Sequence, residues 1–84
     1  MSDTDYILAK VQGAFRASFD IDPQSVTMQT KADDVSGWDS VGHLSLAATL
    51  EEAFGISLDV DDLMEMESVN EIVRIVGNKL SKKV

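Results

Sequence analysis

The sequence predicts an all-α fold, a small four-helix bundle of three longer helices and one short one, with a long loop between the first and second helices. Three observations carry this. Apolar residues recur at helical spacings of three and four in separate stretches of the chain. Capping and stop residues bracket those stretches. No stretch alternates apolar and polar side chains strongly enough to compete as a strand. A chain of 84 residues supports one modest core, so residues 1–84 are expected to form a single domain.

Ile7, Leu8, Val11, Phe15 and Phe19 place the first helix over residues 4–19, behind Asp3 and Thr4 as candidate N-caps, with Pro23 expected to end it. Residues 22–37 are polar and without period, and Val26, Met28 and Val35 are the expected anchors of this loop in the core. The second helix is expected over 40–54, closed by Gly55 in the left-handed conformation. It carries two apolar stripes. Leu46, Ala47, Leu50 and Phe54 form one; Val41, Leu44 and Ala48 form another, beside Ser45, Glu51 and Glu52. One stripe can face a core, and the second implies either burial on two sides or an apolar patch with acidic neighbours.

The acids of DVDDLMEMES invite comparison with a calcium loop, which fails. Counting from Asp59 puts Leu63 at the fifth place, Met64 where glycine is required and Asn70 where the closing glutamate belongs. A short helical turn near 60–66 is expected instead, with Met64 and Met66 filling the core rather than lining a cleft. Ser68 and Glu71 have the spacing of a capping box, and Val69, Ile72, Val73, Val76 and Leu80 form the stripe of the last helix. Lys79, Lys82 and Lys83 complement its C-terminal dipole.

Composition excludes several functions. Without cysteine the chain has neither disulfides nor thiolate metal sites, and His43, the single histidine, cannot build a zinc site alone. No segment approaches the length of apolar sequence that spans a membrane, and MSDTDYILAK lacks the order of a secretory signal, so a soluble, cytoplasmic and non-inserting protein is expected; a monomer is expected as well. The net charge of −8 is unevenly placed: between Asp33 and Val73 there are eleven acids and no lysine or arginine. Such a block repels nucleic-acid phosphates and anionic lipid, leaving a basic protein surface as the natural counterpart, or else serves solubility alone.

The stretch GWDSVGHL, residues 37–44, sets a serine at the opening of the second helix. Three roles are open to it. Asp39 or Ser40 can cap the helix, and capping by Asp39 would leave the Ser40 hydroxyl free. Ser40 can meet His43 on one helical face as a nucleophile and base, but Leu46 and Ala47 supply nothing to orient the imidazole, which weighs against catalysis. Or Ser40 can be a point of covalent attachment, where the N-terminal dipole would favour a phosphate ester and Gly37 lets the chain turn sharply.

GWDSVGHLSLAATLEEAFGISL closely resembles the signature of acyl carrier proteins, in which an Asp-Ser pair and an apolar residue open helix two and an acidic pair precedes Phe-Gly. The layout of the whole chain resembles that family as well. The resemblance implies that Ser40, preceded by Asp39, is esterified from coenzyme A by a phosphopantetheinyl transferase. It would then carry acyl groups as thioesters on a 4′-phosphopantetheine arm while the protein catalyses nothing itself. It further implies that Val41, Leu44, Ala48, Glu51 and Glu52 face partners, namely acyl-loading, acyl-transferring or synthase enzymes with basic docking patches. General fatty-acid carriers usually have an acidic residue where this chain has Ser45 and a small polar one where it has His43. A specialised carrier is therefore expected. The alternatives are an aminoacyl carrier of the D-alanyl kind, with the same Trp-Asp-Ser opening, and an acidic interaction module without cofactor, which would not need the Asp39-Ser40 pair.

Overall fold

A computed structural model of the chain describes residues 3–82, with side chains over 4–81. It contains four α-helices: α1 (Asp3–Phe19), α2 (Ser40–Phe54), α3 (Val60–Glu65) and α4 (Val69–Lys82). Two 3-10 helices, Pro23–Ser25 and Ala32–Asp34, break up the long connection between α1 and α2. Among the described residues there is no strand, only an isolated antiparallel bridge between Lys31 and Ser68.

The expected stripes build the core. Val11 and Phe15 of α1, Leu46 and Leu50 of α2, and Val69, Ile72 and Val76 of α4 are all fully buried, and α1 packs against both α2 and α4. Ile75, outside the predicted stripe, is buried too. The loop is anchored as expected: Val26 and Val35 are buried, and Met28 packs against the core from its edge. Burying a side chain of this size contributes about 1.5–3 kcal/mol, so these two loop valines matter to stability as much as helix residues do.

Several local expectations require correction. The helix already includes Asp3 and Thr4, so they are its first residues and not its caps; the position before them lies outside the described residues. Pro23 does not end α1. The end comes at Asp20, which turns into the left-handed region at φ 53° while its N–H still bonds the Arg16 carbonyl, and Pro23 instead opens the next 3-10 helix under the Asp22 cap. Only half of the Ser68 capping box forms. Ser68 Oγ accepts the Glu71 N–H at 3.3 Å, but the Glu71 carboxylate turns to Arg74, whose Nη2 it meets at 2.6 Å. Met66 is buried as expected, whereas Met64 is 70% exposed. Lys79 pairs with Asp62 of α3 at 2.8 Å rather than merely facing the dipole; the side chains of Lys82 and Lys83 lie outside the described residues.

α3 is the lightly anchored element. It contributes no fully buried residue, and Leu63 only half buries itself against the core. Polar fastenings hold it instead. Its entry is fixed by Glu51 Oε2, which accepts the Leu58 N–H at 2.9 Å, and its first turn by the reciprocal Asp59–Asp62 capping box.

Candidate functional site

The site is built where the loop meets α2. Trp38 is buried with its ring edge-on to Phe15 at 5.0 Å, which nails the end of the loop to α1. Just before it, Gly37 takes φ 91°, a conformation that favours glycine. Gly42, one turn into α2, must also lack a side chain: a Cβ there would overlap the Gly37 carbonyl oxygen and the Phe19 ring. Gly37 of the loop and Phe19 of α1 are therefore packed closely against the first turn of α2.

Asp39 is the N-cap. Its Oδ1 accepts the Gly42 N–H at 2.9 Å, and its carbonyl accepts the His43 N–H at 2.7 Å. Ser40 is the first residue of α2 and is exposed, and among the described residues no hydrogen bond engages its hydroxyl. Capping thus falls to the aspartate, and the serine presents a free Oγ at the positive end of a helix whose first turn carries no acid.

His43 is no base for Ser40. Trp38 Nε1–H donates to His43 Nδ1 at 2.7 Å, and the other ring nitrogen, Nε2, lies 2.8 Å from the Leu63 carbonyl oxygen. Both contacts are hydrogen bonds only for the neutral ring protonated at Nε2, so this network assigns the tautomer and consumes both nitrogens. The imidazole joins the loop, α2 and α3.

Beside Ser40 lies a shallow cavity of about 310 Å³, lined by Trp38, Asp39, Ser40, His43, Leu63 and Met66, among others. A larger one of about 680 Å³, between α1 and α4 around Tyr6, Met28 and Leu80, does not include the serine. The smaller cavity is the relevant one, because it adjoins the exposed Ser40 at the head of α2.

The second stripe of α2 faces solvent: Val41 is 78% and Leu44 61% exposed, and Ala48 and Glu52 are exposed with them. α3 adds Val60 at 69% and Met64, which sequence reasoning had not placed on the surface. Glu51 is half-buried and engaged by Leu58, a structural contact with no signal in the sequence. Gly42 was equally missed, although a glycine in the first turn of a helix is itself a sign of close approach.

A family model described as a phosphopantetheine attachment site matches residues 9–76. The acyl carrier protein of Thermotoga maritima is 30% identical over 80 residues, covering 95% of this chain and 99% of the relative. The chain belongs to the acyl carrier protein family. The acyl carrier protein of Phytoplasma australiense is 27% identical, covering 89% of this chain and 99% of its own length. The solution structure of a holo acyl carrier protein from Geobacter metallireducens superposes with a TM-score of 0.80 at 30% identity, covering 99% of this chain and 91% of that one. As a member of the acyl carrier family, the protein carries acyl groups on a covalently attached 4′-phosphopantetheine.

Proposed function

We propose that Ser40 is the residue that bears the arm and that the chain, a single domain over residues 1–84, is a non-catalytic, monomeric, cytoplasmic carrier serving a specialised set of enzymes. The observation that carries the reading is the division of labour at the helix start: Asp39 caps α2, and Ser40 keeps an exposed, unengaged hydroxyl. The residues present fit the group. A phosphodiester on Ser40 would sit at a helix N-terminus with no acid in its first turn, and the packing of Gly37 and Gly42 holds that terminus in place.

In the modification itself, Ser40 Oγ forms the new bond to phosphorus, the pyrophosphate bond of coenzyme A breaks, the nucleotide half leaves, and the hydroxyl proton passes to the transferase. With both His43 nitrogens occupied, His43 does not serve as the activating base, which supports a carrier whose activation comes from the transferase. When bound, the arm supplies the thiol that the cysteine-free chain lacks.

Val41, Leu44, Ala48 and Glu52 present one exposed apolar and acidic stripe for loading, transferring or synthase enzymes with basic patches, and Glu51 adds charge while securing the α2–α3 turn. Ser45 leaves that stripe less acidic near Ser40, which favours a dedicated partner set. Among the described residues no helix is long and apolar enough to cross a membrane. The test is intact-protein and fragment mass spectrometry after incubation with coenzyme A, magnesium and a phosphopantetheinyl transferase. One phosphopantetheine on Ser40 is expected; a folded protein that gains nothing, or gains it elsewhere, refutes the assignment.

A further inference from the structure

We propose that His43 is a positioning residue that latches α3 to the head of α2 and keeps an acyl chain carried on Ser40 outside the bundle, fitting this carrier to short or polar cargo. The proposal rests on Ser40 being the attachment residue. Its ground is the contrast between how α3 is held and where it lies. α3 buries no residue fully, yet with Met66 just beyond it covers the core behind the Ser40 cavity, so its position depends on polar ties. Three of these, Glu51 to Leu58, Asp62 to Lys79 and Glu65 to Arg74, fasten its entry and its α4 side. The fourth stands at the cavity: the His43 ring, side by side with Trp38 and within 18° of its plane, reaches across to the Leu63 carbonyl. A chain passing from Ser40 between α2 and α3 would have to displace that ring. The displacement would unmake two hydrogen bonds and leave the buried Trp38 N–H without its acceptor.

The test uses holo protein with its adduct on Ser40 verified by fragmentation, loaded with acetyl or octanoyl groups, as wild type, His43→Ala and His43→Gln. Hydrolysis of the acyl group is followed together with the indole ¹H–¹⁵N resonance of Trp38, the only tryptophan. In wild type the two groups should be lost at rates equal to within about twofold, and the indole resonance should not distinguish them. In His43→Ala the octanoyl group should be lost about tenfold more slowly than acetyl, equivalent to about 1.4 kcal/mol and within what burying two methylene groups supplies, and it alone should shift the indole. His43→Gln, which offers Trp38 an acceptor and Leu63 a donor, should restore the wild-type pattern. Octanoyl protection already present in wild type, or equal loss from folded His43→Ala, overturns the proposal and leaves the attachment residue untouched. Absence of the adduct from Ser40 overturns both.

Should His43→Ala not fold, His43→Asn makes the same cut, since its shorter side chain can still accept from Trp38 but does not reach the Leu63 carbonyl. Octanoyl protection should emerge in that variant, and equal loss of the two groups from it overturns the latch.

Discussion

Ser40 and Gly42 stand two residues apart in one helical turn and are needed for opposite reasons, one for an atom it offers and the other for an atom it lacks. Ser40→Ala removes an exposed hydroxyl that no partner engages and leaves the Asp39 cap in place, so helical circular dichroism should be nearly unchanged while phosphopantetheine incorporation falls to zero. Gly42→Ala puts a methyl group into the Gly37 carbonyl and the Phe19 ring. Because backbone cannot yield as a side-chain tip can, we expect a loss of about 1–3 kcal/mol or more in chemical denaturation, together with slower modification. Asp39 and Ser40 were legible because a local motif carries them. The close approach at Gly42 and the His43 bridge were not, since their partners Phe19 and Leu63 come from elements about twenty residues away. The two methionines part company at the end of α3: Met64 lies on its exposed face, whereas Met66, just past the helix at φ −83° and ψ 62°, turns into the core.

Among the elements, α2 was the most legible, since its start at Ser40 and its end before Gly55, at φ 64°, follow from capping chemistry alone. The end of α1 was not, because an aspartate in the left-handed region leaves a weaker sign than a glycine would. α3 was legible as a short helix but not as one held by polar ties, and these make its docking depend on pH. The bond from Lys79 holds the Asp62 carboxyl below its ordinary value, against an opposing push from burial. A carboxyl lowered in the folded state stabilises fully above its unfolded value near 3.8 and loses that contribution as pH falls through its lower folded value. Lys79, raised by the same bond, contributes fully below 10.5 and loses this only as pH climbs beyond. Amide resonances of α3 should therefore broaden or shift below about pH 4, and Lys79→Ala should move that onset to higher pH.

At the scale of the whole molecule, charge is the organising quantity. Eleven acids and no lysine or arginine between Asp33 and Val73 concentrate repulsion in that half of the chain. Raising magnesium should therefore raise the melting temperature modestly without a saturable site. A gain of about 1 kcal/mol would read as about 4–8 °C for a protein of this size, and a melt insensitive to magnesium would contradict the expectation. Glu52→Lys, on an exposed position with no structural bond among the described residues, should slow modification at low ionic strength. The deficit should shrink near physiological salt, where the screening length is about 8 Å. The acidic bias was legible from composition, while the exposure of Val41, Leu44, Val60 and Met64 needed the helices in place. The long loop, for its part, does not hang free. Ala32 N–H bonds the Glu67 carbonyl and Val69 N–H bonds the Thr30 carbonyl, a two-rung clasp between the loop and the junction of α3 with α4. The amides of Ala32 and Val69 should then exchange with deuterium at matched rates, and any opening that lifts α3 should carry the loop with it as one cooperative unit.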